Sequence, residues 1–535
     1  MAEEQTFRRA VTWAYIMNWG DKGFSVLFTF VLAAVLGPRD FGIVAIAMIY
    51  ILFIRMFLEQ GLAAAVIQRK ELTREHLDSV FWMNMVLSLL LVGISIAFSR
   101  WWAALNHLPT LGPVISALSL SIPIEGLTIV QRSILQREMD FKSLSLRTNI
   151  SALVGGIIGL GMAFTGFGVW ALVGQLLGRD IVSLCALWKL SSWRPRPRLS
   201  FRSLAQLLHF SSSTFIAQLG VFANTQADAL MLGAFFGPTA VGLYRLAERV
   251  SASVLTASTS SLQSVSLPQF SRFQDDSLGL RRNMFSFLRL CSIVTVPAMA
   301  GIAVTSRPLM AVLGKTWGPA GDVLPILCVF GVIVAFAQFT GPLLQALSKP
   351  HYVAMFVWAQ AIASAAVLMA SAFLLRNAAL GTQVVGVATS RLVTSVLVSG
   401  PILFYVLRRF GGIRARDFLA AVTPSLFAAG AIIASVSSLS MVLKAVVLTR
   451  PLTLLMAEIV VGTIAGVGTL LFVDGQLRAR AADLYGKVSR RKPVAPSGGE
   501  VAAGERMNAT ADADHHCTST IKPSSEELRT VEEGE

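Results

Sequence analysis

The fold predicted for this 535-residue chain is an all-α integral membrane protein of about fourteen transmembrane helices. Three observations predict it. Apolar residues make up 54% of the chain and charged residues only 14%, a balance that a water-soluble protein of this size does not sustain. Apolar runs long enough to cross about 30 Å of hydrocarbon recur from Val11 to Val473. The Lys and Arg residues crowd into alternate gaps between those runs.

The first run follows MAEEQTFRRA; it is too long for a signal-peptide core and no small-residue cleavage site follows it, so it reads as a retained helix. Apolar runs and turn signals place helices near 11–36, 40–66, 79–104, 110–131, 147–165 and 168–189. The remaining helices fall near 204–236, 239–267, 283–305, 322–346, 352–375, 380–407, 418–440 and 452–474. With the N-terminus inside, the inner loops collect Arg69, Lys70, Arg74, Arg137, Lys142, Arg147, Lys189, Arg194, Arg196, Arg281, Lys349 and Arg409, among others. The outer loops hold only Arg39, Arg100, Arg307, Lys315, Arg376, Lys444 and Arg450. Counting the two basic ends, the bias is roughly four to one, which sets both termini in the cytoplasm.

A repeat is written into the turns. Gly37-Pro38 within LGPRDFG and Gly237-Pro238 within FGPTAVG each join two apolar runs, and the inner loops that follow correspond as well. The duplication predicts two parallel six-helix bundles, 7–190 and 204–410, joined by a stiff basic linker at 191–203 that contains WRPRPR and attracts anionic lipid. A terminal helix pair at 411–475 and a cytoplasmic tail at 476–535, basic and then disordered, complete the chain.

The formal charge of +15 suits nucleic acid, but its confinement to short loops reports membrane topology, so no nucleic-acid partner is expected. Cys185, Cys291 and Cys328 sit in apolar runs and Cys517 in the tail, a spacing that points to core packing and to neither a disulfide framework nor a metal site. No cofactor is expected.

Ionisable residues inside the membrane cost about 2.5–3.5 kcal/mol each on insertion scales, so they should pair or face a wet cavity. Measured from the Gly37-Pro38 turn at about 1.5 Å per residue, Asp21, Lys22 and Arg55 come out roughly 25 Å deep and able to meet across the hairpin. Glu59 is the i, i+4 partner of Arg55, so these four can also form a closed structural cluster. In the second unit, Asp228, Arg245, Glu248 and Arg249 fall roughly 12–18 Å deep. Arg245 and Arg249 are like charges on one helix face, which asks for an anion between or beside them: Asp228, Glu248 or a ligand phosphate. Arg391 has no carboxylate on its own helix and is the least obviously paired cation, while Arg179 with Asp180 and Glu125 with Arg132 complete the set. Arg245, Arg249, Arg391, Arg179, Arg55 and Lys22 are therefore the candidate substrate-binding cations. Asp21, Glu59, Glu125, Asp180, Asp228 and Glu248 are the candidate ion-coupling or charge-pairing acids. The hydroxyl-rich stretch TASTSSLQSVS (256–266) reads as the lining of a hydrated path or as a close-packing face.

The block LGPRDFGIVAIAMIYILFIRMFLEQGLAAAVIQRKELTREHLDSVFWMN (36–84) resembles the polysaccharide transporter branch, the Wzx-type lipid-linked oligosaccharide flippases, of the multidrug, oligosaccharidyl-lipid and polysaccharide exporter superfamily. VGLYRLAERV, LPQFSRFQDD, LGKTWGPAGDVLPILC and LLQALSKPHY are similar to the family's later blocks in the same order, so the likeness runs from Phe7 to Val473. It implies two six-helix bundles around a central cavity, with two extra helices, working by alternating access in the bacterial cytoplasmic membrane. It also implies a polyprenyl-diphosphate-linked oligosaccharide as substrate, membrane lipids as surroundings, and a polysaccharide polymerase and export machinery as partners. The matching segments include Glu59 and the stretch Arg245 to Arg249, whereas Arg391 and Arg179 rest on the membrane-charge argument alone. A drug or cation antiporter of the same superfamily is the alternative, and it would want an acidic cavity. A membrane polymerase would want carboxylates on a large outer loop, where the longest, near Arg307 to Asp322, offers one.

Overall fold

The computed structural model describes residues 20, 22–59, 73–197, 212–445, 451–475 and 478, all within one compact unit, 1–479. The described residues form helices and no strand. The first six helices are α1 (Lys22–Val35), α2 (Pro38–Glu59), α3 (Arg74–Leu105), α4 (Leu111–Arg137), α5 (Phe141–Phe164) and α6 (Val169–Leu190). The later ones are α7 (Ser212–Phe236), α8 (Pro238–Arg272), α9 (Ser277–Val304), α10 (Lys315–Ala346), α11 (Pro350–Leu375), α12 (Leu380–Arg409), α13 (Ala415–Ala445) and α14 (Pro451–Val473). Where they are described, the apolar runs read from the sequence overlap these helices; positions 11–19, 21, 60–66 and 204–211 of those runs lie outside the described residues. Eleven of them are long and apolar enough to cross a membrane, all but α1, α7 and α8.

Local chemistry explains the helix ends. Prolines head α2, α8, α11 and α14, where a missing amide proton costs nothing. Asp140 accepts from the Ser143 amide at 3.1 Å to cap α5, and Asp276 caps α9 through the amides of Leu278 and Gly279. Gly237 turns the chain between α7 and α8 at φ +82°, a conformation that few residues besides glycine adopt. Within α12, Ser395–Ser399 widens into a π turn just before Pro401, which has no amide proton to continue the α ladder.

Sequence boundaries are corrected at one place above all. The region from Arg307 to Asp322, read as an outer loop, is mostly helical: a short helix at Ser306–Leu313, a tight turn at Lys315–Trp317 and then the body of α10. Trp317, in that turn, is wholly buried.

Lipid is as apolar as leucine, so helices associate here through close packing and internal hydrogen bonds. Large apolar side chains such as Leu90, Phe98, Ile157, Leu374 and Phe472 face outward accordingly. The helices α5 and α6 meet along a seam of glycines: a Cβ on Gly155 would lie 2.8 Å from the Arg179 Cβ, and one on Gly178 2.8 Å from the Ile158 Cδ1. One apolar core near the Gly-Pro hairpins is shared by both sets of helices, with Leu32, Ile43 and Ala47 beside Val241, Leu243 and Ala247. Towards the opposite ends the core divides. Phe270, Met284, Phe339 and Leu407 form one cluster among α8, α9, α10 and α12, and Leu77, Val80, Phe81, Ile129 and Val130 form another between α3 and α4.

The basic linker is fastened to the first set of helices. The Trp82 indole donates to the Arg196 carbonyl at 2.7 Å, and the Arg196 amide donates to the buried Asp78 carboxylate at 3.2 Å. Phe81 stands edge-on to Trp82, Trp188 and Trp193. At the chain's far end, α13 and α14 pack together beside α9, and Arg289 binds Asp474 at 2.6 Å.

Gly155→Val should lower the unfolding free energy of the detergent-solubilised protein by about 1–3 kcal/mol, as expected of overpacking. Gly161→Val, at a position where an added Cβ meets nothing, should leave the melting temperature close to wild type.

Candidate functional site

Inside the first set of helices, α2, α4, α5 and α6 enclose a polar pocket of about 270 Å³. Four guanidinium groups line it, those of Arg55, Arg132, Arg147 and Arg179, together with Glu125, Asp180 and the hydroxyls of Ser121, Thr128, Thr148, Ser151 and Ser183. Arg55 binds Asp180 at 3.2 Å and donates to the Ser121 carbonyl at 3.3 Å, while Arg132 binds Glu125 at 2.9 Å. The partner of Arg55 among the described residues is Asp180 on α6, a helix that depth along a two-helix hairpin does not bring into view. Asp21 and the Glu59 side chain lie outside the described residues; Lys22 opens α1. Arg147, assigned from the sequence to a loop, lies inside α5 and reaches the pocket, since α5 begins at Phe141.

The second set of helices carries a buried network in which Asp228 Oδ1 and Arg391 Nε have no hydrogen-bond partner. Arg391 on α12, only 6% exposed, lies 3.4 Å from Asp228 on α7, and it donates to the Asn224 side chain at 3.1 Å, the Asn224 carbonyl at 2.9 Å and Ser364 at 3.2 Å. The Tyr244 hydroxyl donates to Asp228 at 2.7 Å, and the Arg391 guanidinium lies over the Phe330 ring at 5.3 Å. Arg391 is thus well paired, which corrects its reading as the cation least provided for. Its partner comes from another helix, and so no search along its own helix finds it.

Asp228 is taken up by Arg391 and Tyr244, so it does not serve the cations of α8. Arg245 instead binds Glu248 at 2.7 Å and also donates to Gln226. Arg249 is exposed and donates to Ser25 on α1, across the boundary between the two sets of helices. It stands at an otherwise apolar seam cavity of about 200 Å³ lined by Val26, Phe30, Leu246, Val250 and Ile302. The hydroxyls of 256–266 mostly bond back to carbonyls of their own helix, as Thr256 does to Ala252 at 2.8 Å and Thr259 to Leu255 at 2.8 Å. That leaves a polar helix without unmet groups.

Two features were not anticipated. A larger apolar cavity of about 520 Å³ lies among α9, α13 and α14 and includes the buried Glu458. Cys185 is exposed, unlike the buried Cys291 and Cys328, which corrects its reading as a core residue. Among the described residues no group of three or more metal-ligating side chains converges.

Arg391→Met should destabilise the protein by about 3–5 kcal/mol, because it strands the Asp228 carboxylate in a dry site. The double variant Arg391→Met/Asp228→Asn should recover part of that loss, read as melting temperature in detergent.

The family described as polysaccharide biosynthesis protein matches residues 31–322. The succinoglycan biosynthesis transport protein ExoT of Rhizobium meliloti (strain 1021) is 27% identical over 357 residues, covering 66% of this chain and 72% of its own. The lipopolysaccharide biosynthesis protein WzxC of Escherichia coli (strain K12) is 26% identical over 341 residues, covering 63% and 69%. In three dimensions the chain is similar to the lipid II flippase MurJ in an inward closed conformation, with a TM-score of 0.67 and 16% identity over 87% of this chain and 99% of that one. An inward-facing multidrug transporter of the MATE family follows at 0.55 and 15%, over 75% and 95%. At such identities these two likenesses concern the fold alone. With more than half of its length matched, the chain belongs to the polysaccharide biosynthesis protein family, as a multi-pass membrane protein on the fold shared with MurJ and MATE transporters.

Proposed function

We propose that the protein flips a polyprenyl-diphosphate-linked oligosaccharide repeat unit across the cytoplasmic membrane by alternating access, for exopolysaccharide or lipopolysaccharide synthesis. The observation that carries the reading is the pocket in which Arg55, Arg132, Arg147 and Arg179 stand with hydroxyl groups inside membrane-crossing helices. Guanidinium keeps its charge when desolvated and matches phosphate oxygens two at a time, so such a lining favours a diphosphate over a cationic drug. The apolar seam beside Arg249, between α1 and α8, suits a substrate whose tail stays in lipid while its head enters.

Two helical bundles, 7–190 and 204–410, rock against each other in this reading, with both termini and the linker in the cytoplasm as the distribution of Lys and Arg demands. The Gly-Pro hairpins then face outward. In this reading the shared core lies at the outer end and the separate cores at the inner one, the arrangement expected of a state that opens to the cytoplasm. The protein acts as a transporter with no bond made or broken, and a polymerase and export machinery receive the flipped unit.

Deleting the protein should trap lipid-linked repeat units in the cytoplasmic leaflet and abolish surface polymer, and the wild-type chain should restore both. The double variant Arg245→Ala/Arg249→Ala should reach normal abundance yet export about tenfold less or lower still, the loss expected from removing charge-assisted hydrogen bonds worth roughly 1.5–3 kcal/mol each. Normal polymer with altered drug resistance in the deletion strain would favour the antiporter instead.

A further inference from the structure

The two Gly-Pro hairpins lock into each other. A Cβ placed on Gly42 would fall on the main-chain carbonyl of Pro238, and a Cβ placed on Gly242 would fall on that of Pro38. Each glycine of one repeat therefore abuts the proline carbonyl of the other, in a reciprocal pair of backbone contacts across the boundary between α2 and α8. Bare Cα hydrogens against carbonyl oxygens permit this approach, as they do where membrane helices cross at small residues.

A second fastening sits beside the first. Trp317, at the head of α10, donates its indole N–H to the main-chain carbonyl of Ala33 on α1 at 2.8 Å, and its ring meets Phe41 edge-on at 5.5 Å. Both Trp317 and Ala33 are wholly buried, and so are Ala47 and Ala247, which lie just below the crossing on α2 and α8. None of these contacts uses a charge, and each is individually weak, so the closure is tight and yet separable. At the opposite ends the two sets of helices form separate apolar clusters.

We infer that the reciprocal crossing of Pro38–Gly42 with Pro238–Gly242, bolted by Trp317, is the gate that seals the hairpin end of the space between the two sets of helices. It parts once in each translocation cycle. The cycle rests on the flippase reading; the gate itself does not.

The test uses the full chain with its native cysteines replaced. A cysteine at Ala47 should react slowly with a membrane-impermeant maleimide added outside intact cells, and about tenfold faster once Gly42→Ala and Gly242→Ala hold the crossing apart, a factor that corresponds to a shift of the open fraction by one decade. Trp317→Phe, which keeps a ring but removes the indole donor, should raise the rate in the same direction should the glycine variants fail to accumulate. Joining Phe41→Cys to Trp317→Cys with a short, reducible bis-thiosulfonate should abolish polymer export, and reduction should restore it. Labelling of the Ala47 cysteine that is unchanged in every variant, or undiminished export by the cross-linked chain, would overturn the gate. The labelling needs no substrate, so a gate that labels as expected in a strain whose polymer does not depend on the protein would leave the gate standing and remove the flippase reading.

Discussion

Inside a bilayer there is no water to satisfy a stray charge or a backbone amide, and most of this structure follows from that constraint. It makes the described chain helical throughout, and it obliges the arginines within the helices to find partners there. Arg391 shows the rule at its strictest, where one guanidinium engages Asn224 and Asp228 on α7 and Ser364 on α11. A carboxylate and a guanidinium buried together cost much desolvation, which their attraction and the surrounding hydrogen bonds offset. Such a network suits a fixed joint between α7, α11 and α12 better than a place where substrate comes and goes.

The first set of helices meets the same constraint differently. Its arginines pair with Glu125 and Asp180 around a pocket rather than within solid packing, and hydroxyls complete the lining. The contrast sets a polar pocket in the first set of helices against a buried ion-pair network in the second. The reciprocal glycine and proline contacts between α2 and α8 are made by backbone alone.

The linker and the terminal helix pair limit how the parts move. Trp82 and Asp78 hold the segment at Arg196 against α3. The ion pair between Arg289 and Asp474 ties the end of α14 to α9.

The all-helical membrane class, the two Gly-Pro turns and the identity of the buried charges were legible in the sequence, because each is a property of residues close together along the chain. Hydrophobic runs report spans, Gly-Pro reports a turn, and an arginine within a run is conspicuous wherever its partner lies. The partners were not legible. Arg55 with Asp180 and Arg391 with Asp228 join helices far apart in sequence, and depth along a hairpin says nothing about which third helix packs against it. Trp317 was hidden in an apparent loop, since a short helix and a tight turn leave no periodic signal. By itself the sequence determined that this is a membrane protein built of helices with a repeated hairpin and too many internal arginines to ignore. Only the tertiary structure decided which of those arginines line a pocket and which lock a joint, because a charge in hydrocarbon takes the partner that packing brings within reach.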